Sequence, residues 1–161
     1  MVAQVTLVTP CAIQPDQDGH VTIPNNWTSI EDEAFSSCID LATITIPTNV
    51  TNIGRSAFQH CSNLVKVDLP NTVTMIDSAA FAYCTNLTDI DIPDAVSMLG
   101  AFVFDQCHRL RSVSMSKNVT TIPKALFQNC TSLVNFTIPD SITYIADHAF
   151  GFCIGLTQID I

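Results

Sequence analysis

Apolar side chains recur along this chain in parallel series, each advancing 23 residues at a step. One series is Phe35, Phe58, Phe81, Phe104, Phe127 and Phe150, and a second is Leu41, Leu64, Leu87, Leu110, Leu133 and Leu156. Two more, offset by two residues, run Ile44, Val67, Ile90, Val113, Phe136, Ile159 and Ile46, Leu69, Ile92, Met115, Ile138, Ile161. Trp27, Val50, Val73, Val96, Val119, Ile142 and Ile30, Ile53, Ile76, Leu99, Ile122, Ile145 complete the set. A fixed period of this length marks tandem structural repeats. Six copies follow one another as 24–46, 47–69, 70–92, 93–115, 116–138 and 139–161, with Pro opening all but the fifth, where Ser116 stands. Residues 1–23 match the template only at Val21 and Ile23 and read as a degenerate first repeat or cap.

Two patterns alternate inside each copy. Leu64, Val67 and Leu69 end in apolar-polar alternation, which predicts a short half-buried strand with Lys66 and Asp68 turned outward. The V-T-x-I segment predicts a second short strand. Between them, Ala57, Phe58, Cys61 and Leu64 fall at i, i+1, i+4 and i+7, which predicts a helical turn or short helix capped by the polar residue upstream, Ser56 here and Ser78 in the next copy. A unit this small cannot close a core alone, so the copies must stack and turn equivalent residues into interior ladders. The expected fold is an α/β repeat solenoid, with short parallel strands on one face and coils or short helical turns on the other.

Composition adds exclusions. With 47% hydrophobic and 13% charged residues in 161, the chain suits a packed domain, and no run approaches the roughly 20 apolar residues a membrane span needs. A net charge of −9 repels phosphate backbones and anionic lipid alike. Six of the seven cysteines, Cys38, Cys61, Cys84, Cys107, Cys130 and Cys153, share one repeat position. They include no C-x-x-C pair, and identical placement in six copies predicts buried free thiols rather than metal ligands. Cys11 stands outside the series and is the one thiol expected to be available for a cross-link. His20, His60, His108 and His148 assemble no triad with Ser, Asp or Cys, and read as surface polar residues. No catalytic residues and no cofactor are expected.

The motif L-x-x-[IV]-x-[IL]-P followed by x-x-V-T-x-I-x-x-x-A-F-x-x-C resembles the BspA-like class of leucine-rich repeats, the 23-residue type of bacterial and trichomonad surface proteins. The resemblance covers residues 24–161; Val103 and Leu126 depart from Ala, and Pro123 takes the place of the Gly found at Gly54 and Gly100. It implies an arc lined by parallel strands, a non-enzymatic interaction or adhesion module, and a location at the cell surface or outside the cell. The first residues lack the basic start and apolar core of a signal peptide.

Solenoids bind through outward side chains on consecutive strands. The expected binding face is therefore Thr43 and Thr45, Lys66 and Asp68, Asp89 and Asp91, Ser112 and Ser114 with Arg111 beside them, Asn135 and Thr137, and Gln158 and Asp160. Its partner is expected to be a protein, of a host or a second copy; an oxygen-ligand cation site at Asp68, Asp89 and Asp91 is the lesser alternative. The series Thr28, Thr51, Thr74, Ser97, Thr120 and Thr143 suits hydrogen bonding along a β ladder, and N-x-T occurs at Asn26, Asn49, Asn86, Asn118, Asn129 and Asn135. The sequence stops at Ile161, a core position, without a polar closing element. This leaves open a longer array, or copies stacked head to tail through Val5, Leu7, Ile159 and Ile161.

Overall fold

The computed structural model describes residues 11–160. Each 23-residue copy makes one coil of a solenoid, and most coils place a three-residue strand in one sheet and a two-residue strand in another. The first set of strands is β1 (His20–Thr22), β3 (Thr43–Thr45), β5 (Lys66–Asp68), β7 (Asp89–Asp91), β9 (Ser112–Ser114), β11 (Asn135–Thr137) and β13 (Gln158–Asp160). The second is β2 (Ser29–Ile30), β4 (Asn52–Ile53), β6 (Met75–Ile76), β8 (Met98–Leu99), β10 (Thr121–Ile122) and β12 (Tyr144–Ile145). All pairing is parallel and steps by one repeat, as in His20 with Thr43 and Thr43 with Lys66. The strands form where β-branched residues alternate with polar ones, and the inner residues Ile44, Val67 and Ile90 are buried.

The interior is a set of ladders. Phe35, Phe58, Phe81, Phe104 and Phe127 are wholly buried and stack in near-parallel pairs, with ring centroids 5.4, 5.1, 5.8 and 5.6 Å apart in order. Leu41 to Leu133 fill the adjacent rung at every coil. The prolines end the strands and set tight corners: the carbonyls of Pro24, Pro47, Pro70, Pro93 and Pro139 accept from the amides of Trp27, Val50, Val73, Val96 and Ile142.

The α/β expectation does not survive. No described residue is helical, and the third side of every coil is a run of turns. The apolar spacing read as a helix is met by these turns, which send the same residues inward. Alternate amides explain the choice. In the second coil Ala57, Gln59 and Cys61 donate back to Gly54, Ser56 and Phe58, whereas Ser56, Phe58 and His60 donate to Ser78, Ala80 and Ala82 of the following coil. A helix would consume every amide within its own turn and leave the coils unjoined. The geometry requires two left-handed residues per coil, at Glu33, Ser56, Ala79, Phe102, Ala125, His148 and at Ser37, His60, Tyr83, Gln106, Asn129, Phe152. Ser56 is thus a left-handed turn residue, not a cap, and the amide of Ser78 is met by Asp77 Oδ1 at 2.6 Å.

The cysteine ladder also needs one correction. Cys38, read as a free thiol, is disulfide-bonded to Cys11, with Cα atoms 5.2 Å apart. Cys11 lies off the 23-residue register, so the bond closes the amino-terminal end of the ladder without disturbing successive rungs. Cys61, Cys84, Cys107, Cys130 and Cys153 are free. Each thiol donates to a phenylalanine carbonyl in the coil before: Cys61 to Phe35 at 3.0 Å, Cys84 to Phe58 at 3.1 Å, and Cys153 to Phe127 at 2.9 Å.

Burial keeps these thiols protonated. Desolvation pushes Cys61 from its ordinary 9.0 to about 12 and Cys153 to about 11, and raises Cys84, Cys107 and Cys130 well above the ordinary value. Only the thiolate attacks a reagent. A thiol-reagent titration of the native protein at pH 8 should leave Cys61, Cys84, Cys107 and Cys130 unmodified while half-buried Cys153 reacts slowly; rapid reaction of several would show the ladder open. Because the fold favours the neutral acid, the stability Cys61 contributes is complete below pH 9.0 and is lost as pH rises toward about 12.

One junction differs from the rest. The first sheet ends at β9 and resumes as β11–β13; the second ends at β8 and resumes as β10–β12. Both ladders therefore break between the fourth and fifth coils. On the turn side the same junction is intact, with Phe102, Phe104 and Gln106 donating to Lys124, Leu126 and Gln128.

Candidate functional site: the strand-lined face

The predicted outward residues all lie where their strands should place them. Thr43, Thr45, Lys66, Asp68, Asp89, Asp91, Ser112, Ser114, Asn135, Thr137, Gln158 and Asp160 are exposed, as is Arg111 just before β9. Thr43, Lys66, Asp89 and Ser112 are successive register partners and form one row across the sheet. Asn135 and Thr137 belong to β11, which is separated from that row by the broken junction. Ile159, on β13, is 43% exposed. Val5, Leu7 and Ile161 lie outside the described residues.

The electrostatics centre on Lys66. Its ammonium meets Asp68 Oδ1 at 2.8 Å, and this hydrogen bond, with the fields of Asp68, Asp91 and Asp89, holds it above its ordinary value. Both partners are largely in water, so the pair adds little to stability and serves instead to fix a cation among three carboxylates. Among the described residues no group of three or more His, Cys, Asp or Glu converges to hold a metal ion, so the acidic residues of this face form no cation cage.

His20 extends the face in a way the repeat pattern alone did not single out. Its Nδ1 lies 2.8 Å from Thr43 Oγ1 and its Nε2 lies 3.2 Å from Thr22 Oγ1 and 3.3 Å from Thr45 Oγ1. The signal was present: His20 precedes Thr43 by one repeat, but the poor fit of residues 1–23 concealed it. On the second sheet, the hydroxyls of Thr51, Thr74 and Thr143 donate to the carbonyls of Thr28, Thr51 and Thr120, so this series serves the ladder itself. Two of the N-x-T asparagines are also structural: the Asn49 amide donates to Asn25 and Trp27 carbonyls at 2.7 and 2.6 Å, and the Asn118 amide to Asp94 at 2.6 Å.

Parallel coils joined by inter-coil ladders, with leucine and phenylalanine rungs and a polar strand face, define a leucine-rich-repeat solenoid. The family model described as the BspA type leucine rich repeat region, in six copies, matches residues 18–134 and 120–161. The chain belongs to the BspA-type leucine-rich repeat family. Members are general protein-interaction modules built on a generally non-enzymatic scaffold.

Among solved structures, the chain is similar to a leucine-rich repeat protein from Bacteroides ovatus, at 28% identity and a TM-score of 0.66 over 88% of this chain and 45% of that one. A leucine rich cell surface protein from Faecalibacterium prausnitzii is 25% identical, with a TM-score of 0.57 over 88% of this chain and 59% of that one. The pneumococcal vaccine antigen PcpA shares the fold at 17% identity, with a TM-score of 0.68 over 89% of this chain and 42% of that one. The chain thus spans less than half the length of the Bacteroides ovatus protein. No curated protein matches it. No helix among the described residues is long and apolar enough to cross a membrane.

Proposed function

We propose that this chain captures a protein partner on the face lined by β1, β3, β5, β7 and β9, as an adhesion or recognition module displayed outside the cell. The observation that carries the reading is the row of exposed polar side chains on five hydrogen-bonded parallel strands, charged at its centre and flanked by hydroxyls. A rigid sheet holds such groups at fixed spacing, so binding spends little entropy on ordering them. The Cys11–Cys38 bond supports an oxidising location, since structural disulfides persist mainly outside the cytosol. The surface location of the Faecalibacterium relative agrees with that reading.

Substituting Lys66→Ala, Asp89→Ala and Arg111→Ala together should reduce capture of the natural partner at least tenfold while leaving the melting temperature within a few degrees, because all three are exposed. Undiminished capture would remove this face from consideration. A second reading, end-to-end stacking of copies, is favoured by the core-series residues Ile145 and Ile159, which are 45% and 43% exposed on the last described coil, whereas Ile30, Ile53, Ile44 and Val67 of the same series are buried. Light scattering of the same purified protein should then rise with concentration, whereas a constant monomer mass would rule stacking out.

A further inference from the structure

We propose that the corner just ahead of β9, where Arg109 and Arg111 stand on the fourth coil, docks a short acidic segment of the protein partner, one that presents two carboxylates. The proposal rests on the chain's being a protein-binding module, and it names the chemistry a partner must bring to this one place.

Charge is sorted along the chain. Residues 106–139 hold four of the six Lys and Arg residues and no Asp or Glu, in a protein whose net charge is −9. Three of the six cations are met by carboxylates from within the molecule: Arg55 by Asp32 at 3.8 Å, Lys66 by Asp68 at 2.8 Å and Lys117 by Asp94 at 3.9 Å. Lys124 is set over the Phe102 ring, 5.9 Å from its centroid. Among the described residues no carboxylate pairs with Arg109 or Arg111, and both are exposed.

The repeat explains why these two are left over. Equivalent to Arg109 on the coils before and after are Asn86 and Ser132, and equivalent to Arg111 are Thr88 and Val134, none of which can act as a counterion. Asp89, on the coil before, accepts from the Thr88 hydroxyl at 2.7 Å, and Asp105 is buried on the turn side, where it accepts from Asn129 Nδ2 at 3.3 Å. Leu110 is wholly buried between the arginines, so both side chains leave the same corner. The backbone beneath them is tied on both sides. The Arg111 amide donates to the Thr88 carbonyl at 2.8 Å, and His108 Nδ1 lies 3.1 Å from the Asn129 carbonyl of the next coil. Guanidinium forks pair bidentately with carboxylates, and a fixed corner leaves little ordering to be done on binding.

The flanks set the size of the ligand. β9 and β11 carry no carboxylate, whereas β7 carries Asp89 and Asp91 and β13 carries Asp160. The acid-free strip is thus two strands across, about 10 Å. A long polyanion lying along the axis would run onto those carboxylates and be repelled, but a segment with two acidic side chains fits within the strip. In an extended segment, residues two apart face the same way about 7 Å from each other, so a Glu-x-Glu sequence presents both carboxylates to the corner.

The test uses the whole chain and a fluorescent peptide, Gly-Ser-Glu-Gly-Glu-Ser-Gly, followed by anisotropy at low salt. The peptide should bind, its analogue with Gln for both Glu should bind at least tenfold more weakly, and added salt should weaken binding, as it does for exposed charge pairs. Arg109→Glu combined with Arg111→Glu should weaken the peptide at least tenfold at an unchanged melting temperature. Lys66→Ala, which removes a cation already paired with Asp68, should leave it within twofold. Equal binding of the Gln analogue, or undiminished binding to the arginine variant, would overturn the proposal. So would a scattering mass that rises at low salt in the wild type but not in that variant, since the corner would then belong to a second copy. None of these readouts uses the natural partner, so a negative result leaves the capture experiment on the strand face to stand or fall by itself.

Discussion

Replacing Phe81 by alanine is expected to destabilise the protein by about 3–5 kcal/mol, the usual range for removing a fully buried aromatic ring from a core that cannot collapse around the space. Phe81 sits midway in the stack, 5.1 Å from Phe58 and 5.8 Å from Phe104, and is wholly buried. Coils above and below are held apart by their backbone ladders, so the cavity stays open rather than filling by rearrangement. The loss should also divide cooperativity, since repeat arrays are stabilised by nearest-neighbour interfaces and this substitution weakens two of them. Chemical denaturation followed by far-ultraviolet circular dichroism would show a lower midpoint, together with a broader transition if the halves uncouple. A change below about 1 kcal/mol would mean that the stack contributes little beyond filling space.

The second large effect is expected at the amino-terminal end. The Cys11–Cys38 bond closes a loop with a sequence separation of 27, which the chain-entropy model values at about 3.5 kcal/mol. Cys11→Ser should lower stability by an amount approaching that figure and should act locally. Hydrogen exchange should accelerate in β1 and β2, and much less in β7 and later strands. Because His20 and Thr22 in β1 belong to the strand face, the variant should also weaken any partner that reaches that edge. Equal acceleration throughout the array would contradict a local clasp. The reduced wild-type protein should behave as the variant does, which separates the loss of the cross-link from the loss of the Cys11 side chain.

How far the residues foretold the fold depends on the kind of information each feature needs. The ladders were readable because a buried series repeats one chemical requirement at one interval, and chance does not produce six phenylalanines spaced by 23. The strand face was readable because a period of two sorts exposed from buried positions without reference to neighbours. The third side of the coil was misread as helical because i, i+1, i+4, i+7 spacing describes which side chains face inward, not where the amides point. Left-handed residues there include Phe102, Tyr83 and Ala79, types that carry no turn signal. The disulfide was hidden because Cys11 falls off register and its partner belongs to an otherwise uniform series. Pro123 looks like an ordinary substitution, yet its equivalents Gly54, Asp77, Gly100 and Ala146 each donate an amide to the coil before, so the second sheet loses a ladder bond at that junction.

The turn side has a directional consequence. At every junction there the amino-terminal coil supplies the N–H and the carboxy-terminal coil the carbonyl, from Ala12 with Ala34 to Asn129 with Gly151. Parallel strands exchange bonds in both senses, but these aligned peptide groups add along the solenoid axis, as they do in a helix. The turn side is therefore directional, even though the bonds from Thr51 to Thr28, Gly54 to Ile30 and Val65 to Ala42 run the opposite way on the other sides of the coil. The last described coil offers the amides of His148, Phe150 and Phe152, which have no acceptor among the described residues. Whatever abuts that end, a further repeat or a second molecule, must present carbonyls to it. Two copies meeting there through a twofold axis would set donors against donors, so self-association through the turn side can proceed only in one direction along the axis.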